Sequence, residues 1–382
     1  MPLHKIKVLE LAGLAPAPFC GMILADFGAS VITVNKTGEF SQGALHHGKK
    51  SIALNLKSKK GAEIFKRLSD QSDIVIDPFR KGVMERLGLG PDVLTKSNKM
   101  LIYARLTGFG QNGPYSKMAG HDINYVGLSG LLSLFGRENQ KPTPPVNFAA
   151  DFAGGGLTCA MGIILALYER EKSQMGQVID TSMVEGTAYV GSWLFRTQDH
   201  PMLWGRPRGQ NPLDTGVHFY DTYETQDGKF MAVGALEPQF YNILLEKLNL
   251  TNDQLPQYEN FEKNREKLGV IFKQKKQDEW SKIFDGSDAC VTPVLSIDQV
   301  KNHPHNKALD SFYYDDKSGN IIPKPSPRLS RTPGQSKAIN FTSPAAGENT
   351  REILSENGFK PEEIEDFLSN GIVQQVNRKS KL

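Results

Sequence analysis

The chain has 382 residues, of which 39% are hydrophobic and 23% are charged, and its formal net charge is +3. This length allows two domains with substantial cores, and the composition is that of an ordinary globular protein. The small charge argues against nucleic-acid binding, because basic clusters such as Lys57–Lys60 are diluted by nearby acids.

The first half of the chain alternates predicted strands and helices. It begins without a secretory signal, since MPLHKIKVLELAG leads directly into a strand. In chain order we predict strand Lys5–Leu11, helix Ala17–Gly28, strand Ser30–Val34, helix Lys60–Ser69, strand Asp73–Ile76, helix Val83–Leu87, strand Met100–Arg105, helices Ile123–Phe135 and Gly155–Lys172, and strand Gln177–Asp180. This alternation predicts an α/β fold, a Rossmann-like domain with a parallel sheet covered by helices.

The second half is organised differently. Pro201–Gly216 is rich in proline, glycine and asparagine, which is typical of a linker. A hairpin (Tyr220–Glu224 and Lys229–Val233) and two helices (Pro238–Leu248 and Gln277–Phe284) then predict a smaller α+β domain. After a second proline-rich stretch, the predicted helices are Asn349–Asn357 and Pro361–Asn370.

These patterns predict the domain boundaries. Residues 1–190 form the N-terminal part of a large domain, and residues 218–300 form the small domain. The ranges 191–217 and 301–336 are predicted linkers. We expect the C-terminal part, 337–382, to return to the large domain.

The turns after the first strands do not match a nicotinamide site. Leu11–Pro16 contains a single glycine instead of the dinucleotide fingerprint, and the second strand ends in Asn35-Lys36 instead of an acid. A base at that position suits a phosphorylated ribose, such as the one that carries the 3′-phosphate of coenzyme A. Arg80 and Lys81 add a second positive pair at the carboxyl ends of the strands, although each base could also be a surface charge.

Three further features concern location. The last residues, Ser380–Leu382, form the tripeptide that the peroxisomal import receptor reads. We therefore expect that receptor as a partner and the peroxisome as the location, with a second location such as the mitochondrion left open.

The longest apolar run, around Leu157–Tyr168, is too short to span a membrane. Cysteines that are far apart predict free thiols in a reducing compartment: Cys20, Cys159 and Cys290.

Five segments stand out as motifs: LELAGLAPAPFCGMILADFGASVI, LTGFGQNGPY, AGHDINYVGLSG, ADFAGGGLTCAMGIILALYER and GQVIDTSMVEGTAY. Together they resemble the family III coenzyme A transferase superfamily, and they are closest to its racemase branch, whose members act on α-methylacyl-CoA thioesters. The resemblance implies an interlocked homodimer and inversion of the α-carbon of 2-methyl-branched acyl-CoA thioesters, as in branched-chain fatty acid and bile acid metabolism. It also implies no metal and no organic cofactor, because coenzyme A is part of the substrate.

The resemblance also assigns roles to individual residues. It makes His121 and Asp151 the two catalytic bases, and it makes Glu237, from the small domain, the residue that orients the histidine. Lys36 replaces an arginine that the family commonly has, so the charge is kept but the bidentate fork is lost. The residues expected to bind coenzyme A and the thioester are Lys36, Leu54, Asn55, Leu56, Lys57, Arg80, Gly120, Asp122 and Tyr125.

Inversion of an acidic α-carbon needs two proton carriers on opposite faces, one basic and one protonated. Ordinary pKa values of about 6.5 for histidine and about 3.9 for aspartate are far apart, and burial of the aspartate is expected to narrow that gap. We expect both bases to lie directly before helices, with the second helix beginning at Gly154–Gly156. Backbone N–H groups there can donate to the enolate, and glycine permits a close approach.

Simpler interpretations stay open for each residue. Asp122 is predicted to be the N-cap of its own helix, and Asp151 could be only a negative charge at a helix N-terminus. Glu237 could be an ordinary acid before the helix start at Pro238. His121 could be a half-buried structural histidine. A metal site is not supported, because the other histidines show no ligand spacing around His121.

Two other functions remain as alternatives. In a coenzyme A transferase of the same fold, Asp151 is a nucleophile that forms a mixed anhydride. The His121–Glu237 pair favours the racemase, because acyl transfer does not need a second proton carrier. A non-catalytic acyl-CoA binder is the third possibility.

Overall fold

The computed structural model describes residues 1–39, 43–315, 319–338 and 343–377. Its strands are β1 Lys7–Leu11, β2 Ser30–Asn35, β3 Lys50–Leu54, β4 Ile74–Asp77, β5 Ile102–Thr107, β6 Val178–Ser182, β7 Tyr220–Glu224, β8 Phe230–Gly234, β9 Val291–Val294, β10 Phe312–Tyr314, β11 Ile321–Pro323 and β12 Val373–Gln374.

The α-helices are α1 Pro16–Asp26, α2 Lys59–Asp70, α3 Val83–Arg86, α4 Pro91–Ser97, α5 Asp122–Leu128, α6 Thr158–Ser173, α7 Met183–Val190, α8 Ser192–Arg196, α9 Pro238–Lys247, α10 Phe261–Phe272, α11 Gln277–Phe284, α12 Pro304–Ala308, α13 Thr350–Glu356 and α14 Pro361–Ser369. A 3₁₀ turn covers Leu131–Leu134, and a π-helical segment, Phe148–Leu157, leads into α6. The predicted import tripeptide, Ser380–Leu382, lies outside the described residues.

The contacts divide the chain into two compact units. The first unit comprises Met1–Ser129, Pro145–Val190 and His305–Leu382, and the second comprises Gly130–Pro144 and Gly191–Pro304. This division differs from the predicted boundaries, because residues 130–144 belong to the second unit. The predicted linker 191–217 also lies in the second unit, and most of the predicted linker 301–336 lies in the first.

Side-chain contacts explain where residues 130–144 belong. Arg137 makes a bidentate ion pair with the buried Asp221 at 2.6 and 3.0 Å. Arg208 donates hydrogen bonds to the carbonyl groups of Ser133 and Gln140. A local sequence pattern does not report such pairings, because the partners lie far apart along the chain.

The first unit is built on one sheet. Within its described residues the strand order is β12-β3-β2-β1-β4-β5-β6, and every pair is parallel except β12 with β3. Leu9 in the central strand pairs with Ile32 on one side and with Val75 on the other. This arrangement confirms the predicted Rossmann-like sheet, and β12 brings the C-terminal segment back to it. The order in which successive strands are added reverses between β1 and β4, and folds of this kind bind ligands at that point.

The core of the first unit follows from this topology. All residues of β4 and β5 are buried, as expected for parallel strands that are covered by helices on both faces. Helix α2 buries one apolar face, and Ser58 caps it by accepting a 2.9 Å hydrogen bond from the N–H of Gly61. Side chains of α13 and α14 complete the same cluster.

Two of the predicted helices have different limits. The predicted helix Ile123–Phe135 ends at Leu128, because Gly130 has a left-handed backbone with φ of 88°. The second helix begins at Phe148, seven residues before the predicted start at Gly155. The apolar run around Leu157–Tyr168 was predicted to be too short to span a membrane, but the continuous helix Phe148–Ser173 is long and apolar enough to do so by length and composition alone. Half of its most apolar stretch is buried inside the protein.

The second unit contains an antiparallel sheet of order β7-β8-β9 with α9, α10 and α11 packed around it. The predicted hairpin is confirmed, with its second strand one residue later than expected. The core is rich in aromatic side chains, with Tyr223 stacked on Phe272 at 5.2 Å and Trp280 beside Phe272 at 5.1 Å. The sequence analysis did not predict α10 or β9.

Candidate active site

Two neighbouring cavities open at the carboxyl ends of the strands of the first unit. One has a volume of about 370 Å³ and is lined by residues that follow β1, β2, β3 and β4. The other has a volume of about 390 Å³ and lies next to α5 and the π-helical segment. Phe79 lines both cavities, so the two spaces share a wall at the point where the sheet reverses its strand order. We call the first the nucleotide cavity, because the nucleotide part of coenzyme A is predicted to bind there, and the second the reaction cavity, because the two predicted bases line it.

Most of the predicted site residues line these cavities. The nucleotide cavity contains Lys36, Leu54, Asn55, Leu56 and Lys57. The reaction cavity contains Arg80, Gly120, His121, Tyr125 and Asp151. The structure therefore brings the two predicted bases into one cavity, next to the predicted coenzyme A residues. Asp122 is not among the described residues that line either cavity, and Glu237 belongs to the second unit.

His121 is held at the start of α5 by its own backbone. Its conformation is extended (φ −133°, ψ 176°), and it is the N-cap residue of the helix. Its N–H donates to Oδ1 of Asn124 at 3.0 Å, and its carbonyl accepts from the N–H of Asn124 at 2.8 Å. The imidazole is exposed and contributes to the wall of the reaction cavity. The prediction that His121 lies directly before a helix is confirmed.

Asp151 does not precede its helix, so that prediction was wrong. It lies in the first turn of the π-helical segment. The segment begins earlier because Val146 and Asn147 both have left-handed backbones, with φ of 48° and 57°. Asn147 then donates through Nδ2 to Oδ2 of Asp151 at 3.4 Å. Left-handed conformations are costly for residues other than glycine and concentrate at functional sites.

The glycines after Asp151 serve helix packing instead of substrate approach. A Cβ on Gly154 would lie 2.5 Å from the backbone nitrogen of Thr187 in α7, and one on Gly156 would lie 2.7 Å from the ring of Phe19 in α1. Both glycines are buried. They allow α1 and α7 to pack closely against the segment that carries Asp151, which corrects the expectation that they expose backbone to the enolate.

The electrostatics of Asp151 suit a proton carrier. Burial, which is the largest cause, and the negative charge of Asp122 together raise the pKa of its carboxyl group to about 6, against the opposing effect of His121. This value lies closer to the ordinary histidine pKa of about 6.5 than the ordinary aspartate pKa of about 3.9 does. Burial thus shifts the Asp151 pKa in the expected direction.

Asp122 has a different role from either prediction. His121 is the N-cap of α5, so Asp122 does not cap its own helix. Its buried carboxylate instead accepts hydrogen bonds from the N–H groups of Ala150 and Asp151, both at 2.9 Å. Asp122 therefore caps the neighbouring π-helical segment and ties it to α5. The Asp122 side chain faces the protein interior, so the placing of Asp122 among the residues that bind the thioester stays a prediction that concerns its backbone.

Gly120, Tyr125 and Arg80 shape the loop in front of His121. The hydroxyl of Tyr125 donates to the carbonyl of Gly120 at 2.5 Å, and its ring packs edge-on against Phe109 at 5.0 Å. A Cβ on Gly120 would lie 2.8 Å from the Tyr125 ring, so only glycine fits there. Arg80 donates through Nη1 to the carbonyl of Lys117 at 2.9 Å. These contacts fix the approach to the reaction cavity.

The nucleotide cavity is rimmed by bases. Lys36 is exposed and lies 3.6 Å from Glu39, a weak contact that a phosphate can replace. Lys57 is positioned by Asn55, whose Oδ1 accepts from its backbone N–H at 3.2 Å. Arg86, which the sequence analysis missed, adds a third base to the lining.

The buried carboxylate of Asp77 holds the turn that carries Phe79, the residue shared by the two cavity walls. Oδ1 of Asp77 accepts from the N–H of Phe79 at 2.9 Å, and Oδ2 accepts from the hydroxyl of Tyr103 at 3.1 Å. Arg105 lies 3.5 Å from the same oxygen and donates to Glu85 in α3 at 2.7 Å. Burial raises the pKa of Asp77 to about 6. This network fixes the turn that presents Phe79 between the two cavities.

Comparison with known proteins identifies the family. The profile of CoA-transferase family III matches residues 3–350. The chain belongs to CoA-transferase family III. The α-methylacyl-CoA racemase of Mus musculus is 51% identical to it and that of Homo sapiens 49% identical, each over 386 aligned positions that cover all of both chains. A solved CAIB/BAIF family protein from Brucella suis superposes with a TM-score of 0.77 at 26% identity, over 94% of this chain and 99% of that one.

Three residues that line the cavities or contact their lining were not singled out by the sequence motifs. Asn147, Asp77 and Arg86 lie outside the quoted segments that carry the resemblance. Arg86 had a usable signal, because it follows Arg80 and Lys81 in a short basic stretch. Within the described residues, no group of three or more histidine, cysteine, aspartate or glutamate side chains could hold a metal ion.

Glu237 lies in the second unit of this family III chain. It is exposed and precedes α9, whose first residue is Pro238. The simple helix-start interpretation is thus compatible with its position, and its catalytic role remains a prediction. Its negative charge, together with burial, raises the pKa of the Cys290 thiol.

Proposed function

We propose that this protein inverts the α-carbon of 2-methyl-branched acyl-CoA thioesters by moving a proton through an enolate. The observation that carries the proposal is the presence of His121 and Asp151 in one cavity, with the pKa of Asp151 raised to about 6. The substrate class is supported by the names of the mouse and human relatives, which are α-methylacyl-CoA racemases.

The two bases exchange roles between the two directions. In one direction a neutral His121 or an ionised Asp151 removes the α-proton, and the other group, in its acid form, delivers a proton to the opposite face. The enolate oxygen needs a donor, and the backbone N–H groups of Asp122 and Ile123 have no acceptor within the described residues. Loss of one such donor typically raises a barrier by about 3 kcal/mol. We propose that Glu237 orients the imidazole, as the family resemblance implies.

The reaction requires no added cofactor in this proposal, because the thioester itself stabilises the carbanion as an enolate. Coenzyme A would occupy the nucleotide cavity, with its phosphates near Lys36, Lys57 and Arg86. The acyl thioester would then pass the wall formed by Phe79 and reach the two bases.

Incubation with a 2-methylacyl-CoA in deuterium oxide tests the activity directly. We expect deuterium at the α-carbon and conversion of either pure epimer into a mixture of both. Binding of the thioester without deuterium uptake would instead indicate an acyl-CoA binder or a transferase. Mass spectrometry of the recovered thioester distinguishes these results regardless of the preferred acyl chain.

Removing the charge of Lys36 should weaken coenzyme A binding. Lys36→Ala is expected to raise KM more than it lowers kcat, because the residue lies in the nucleotide cavity and not beside the bases. A substrate that lacks the 3′-phosphate should be poorer for the wild type but no worse for the variant. Exposed Lys5, in the same unit, provides the matched control. Equal penalties for wild type and Lys36→Ala would remove Lys36 from the phosphate site.

We also propose that the protein works as a homodimer. Large apolar side chains are exposed on the first unit, including Leu165 and Tyr168 of α6 and Val190 of α7. Isolated exposed apolar residues are common, but several on neighbouring helices favour a protein contact. Sedimentation analysis would report the mass of the assembly.

Deleting Ser380–Leu382 should leave activity unchanged and make the protein cytosolic, because we propose that this tripeptide is read by the peroxisomal import receptor. Fluorescent fusions at the N-terminus, with and without the tripeptide, would measure the location. Replacing Lys381 with glutamate is a milder test of the same signal. Efficient entry of the truncated protein into peroxisomes would show that the import signal lies elsewhere.

A further inference from the structure

The loop that carries Glu237 is short and lies outside regular structure. Strand β8 ends at Gly234 and α9 begins at Pro238, so Ala235, Leu236 and Glu237 form the connection. Two of its N–H groups are fixed by the backbone: that of Ala235 donates to Phe219 at 2.9 Å, and that of Leu236 donates to Gly234 at 3.0 Å.

The carbonyl groups of this loop are held by one side chain. Nε2 of Gln257 donates to the carbonyl of Leu236 at 2.9 Å and to that of Ala235 at 3.3 Å. Gln257 is only 5% exposed, so these bonds are shielded from water. A buried carbonyl that loses its donor typically costs about 1–3 kcal/mol. One amide therefore fixes the two peptide groups directly before Glu237.

Gln257 is presented by a well-anchored segment. The hydroxyl of Tyr241, in α9, donates to the carbonyl of Leu255 at 2.9 Å and lies 2.7 Å from Nε2 of the buried His218. Nδ2 of Asn264 donates to the carbonyl of Pro256 at 2.9 Å. The segment directly before Gln257 is thus tied both to α9 and to α10, and the Gln257 side chain connects this anchored segment to the loop that carries Glu237.

We propose that Gln257 is a positioning residue for Glu237, which acts by holding the Ala235–Leu236 carbonyls so that the Glu237 carboxylate keeps one orientation. The inference rests on the proposed role of Glu237 in orienting His121. It predicts that loss of the amide donor reproduces the catalytic defect of Glu237 variants without a matching loss of stability or substrate affinity.

Gln277 provides a matched control. It is also buried and also donates through Nε2 to two backbone carbonyls, those of Phe230 at 2.8 Å and Val294 at 3.0 Å. It lies in the same unit, at the opposite end of β8 from Glu237. Gln257→Met and Gln277→Met therefore remove the same kind of interaction, and only the first is expected to affect the Glu237 loop.

The experiment compares both variants, Glu237→Gln, and the double variant Gln257→Met/Glu237→Gln in the full-length protein. Gln257→Met should lower kcat on the order of tenfold, since misplacement by about 1 Å can cost about 10²-fold, while KM and the melting temperature match those of Gln277→Met. In deuterium oxide, exchange of one epimer should fall more than that of the other. In the Glu237→Gln background, Gln257→Met should add no further loss.

The outcomes distinguish a failure of the Gln257 inference from a failure of the proposed role of Glu237. If Glu237→Gln lowers kcat but Gln257→Met behaves like Gln277→Met, or if the losses multiply in the double variant, Gln257 does not position Glu237. If Glu237→Gln has the kcat of the wild type, the proposed role of Glu237 fails and the inference fails with it. If methionine prevents folding, Gln257→Glu keeps the shape of the side chain without its N–H donors and allows the same comparison.

Discussion

Replacing His121 with alanine is expected to abolish inversion of a 2-methylacyl-CoA, and replacing Asp151 with alanine should have the same effect. Both residues line the reaction cavity, and inversion needs a proton carrier on each face of the α-carbon. A positioned proton carrier typically contributes about 10²–10⁴-fold to the rate. Loss of either one should therefore reduce racemisation by several orders of magnitude, measured as conversion of one pure epimer into the other.

The two variants should differ in proton exchange. Exchange of the α-proton with solvent needs only the base on the matching face. In deuterium oxide, His121→Ala should still exchange the α-proton of one epimer, and Asp151→Ala that of the other. His4→Ala, an exposed histidine in the same unit, serves as a control that should retain both exchange and inversion.

The transferase alternative predicts a different set of results. There Asp151 attacks the thioester carbonyl, coenzyme A leaves as the thiol, and a mixed anhydride joins the acyl group to the Asp151 carboxylate. Hydroxylamine would intercept that anhydride and form a hydroxamate. A hydroxamate that forms with the wild type but not with Asp151→Ala, together with no deuterium at the α-carbon, would overturn the racemase proposal.

Sequence patterns predicted most of the sheet but not its edge. Between β2 and β3 the sequence is polar, and the described residues there contain no helix, so the alternation that revealed the other strands is interrupted. β12 has only two residues, and it pairs with Ala53 and Leu54 at the other end of the chain. Short strands with distant partners leave no local signal, because periodicity is measured over neighbouring residues.

The site could be predicted as a set of residues but not as a geometry. Motif resemblance identified His121 and Asp151, and it placed Asp122 beside His121 as a binding residue. Each residue turns a helix by about 100°, so His121 contributes to the cavity wall while Asp122 faces the buried N–H groups of Ala150 and Asp151. The direction of a side chain depends on the helix limits, which sequence patterns define only to within a few residues.

Removing the carboxylate of Asp122 should produce the second large effect. Asp122→Ala leaves the N–H groups of Ala150 and Asp151 without their buried acceptor, at a typical cost of about 1–3 kcal/mol for each group. Because Asp151 is tied to α5 through these bonds, a shift of about 1 Å is expected to lower kcat by about 10²-fold. Substrate affinity should change much less, since the Asp122 side chain is buried and lines neither cavity, and the substitution leaves the backbone N–H in place.

Asp122→Asn separates the effect of the negative charge of Asp122 from the effect of its two backbone hydrogen bonds. Its amide oxygen can still accept the two backbone hydrogen bonds, but the negative charge that helps to raise the pKa of Asp151 is lost. The pKa of Asp151 should therefore fall below about 6, so the carboxylate form survives to lower pH. In the direction in which Asp151 removes the proton, kcat/KM of the wild type should decline as pH falls through about 6. In Asp122→Asn that decline should begin at lower pH.

Asp180→Asn is the control, because Asp180 also accepts from a backbone N–H, that of Gln111 at 3.1 Å. An unchanged acid limb in Asp122→Asn would mean that burial alone, and not the charge of Asp122, raises the pKa of Asp151.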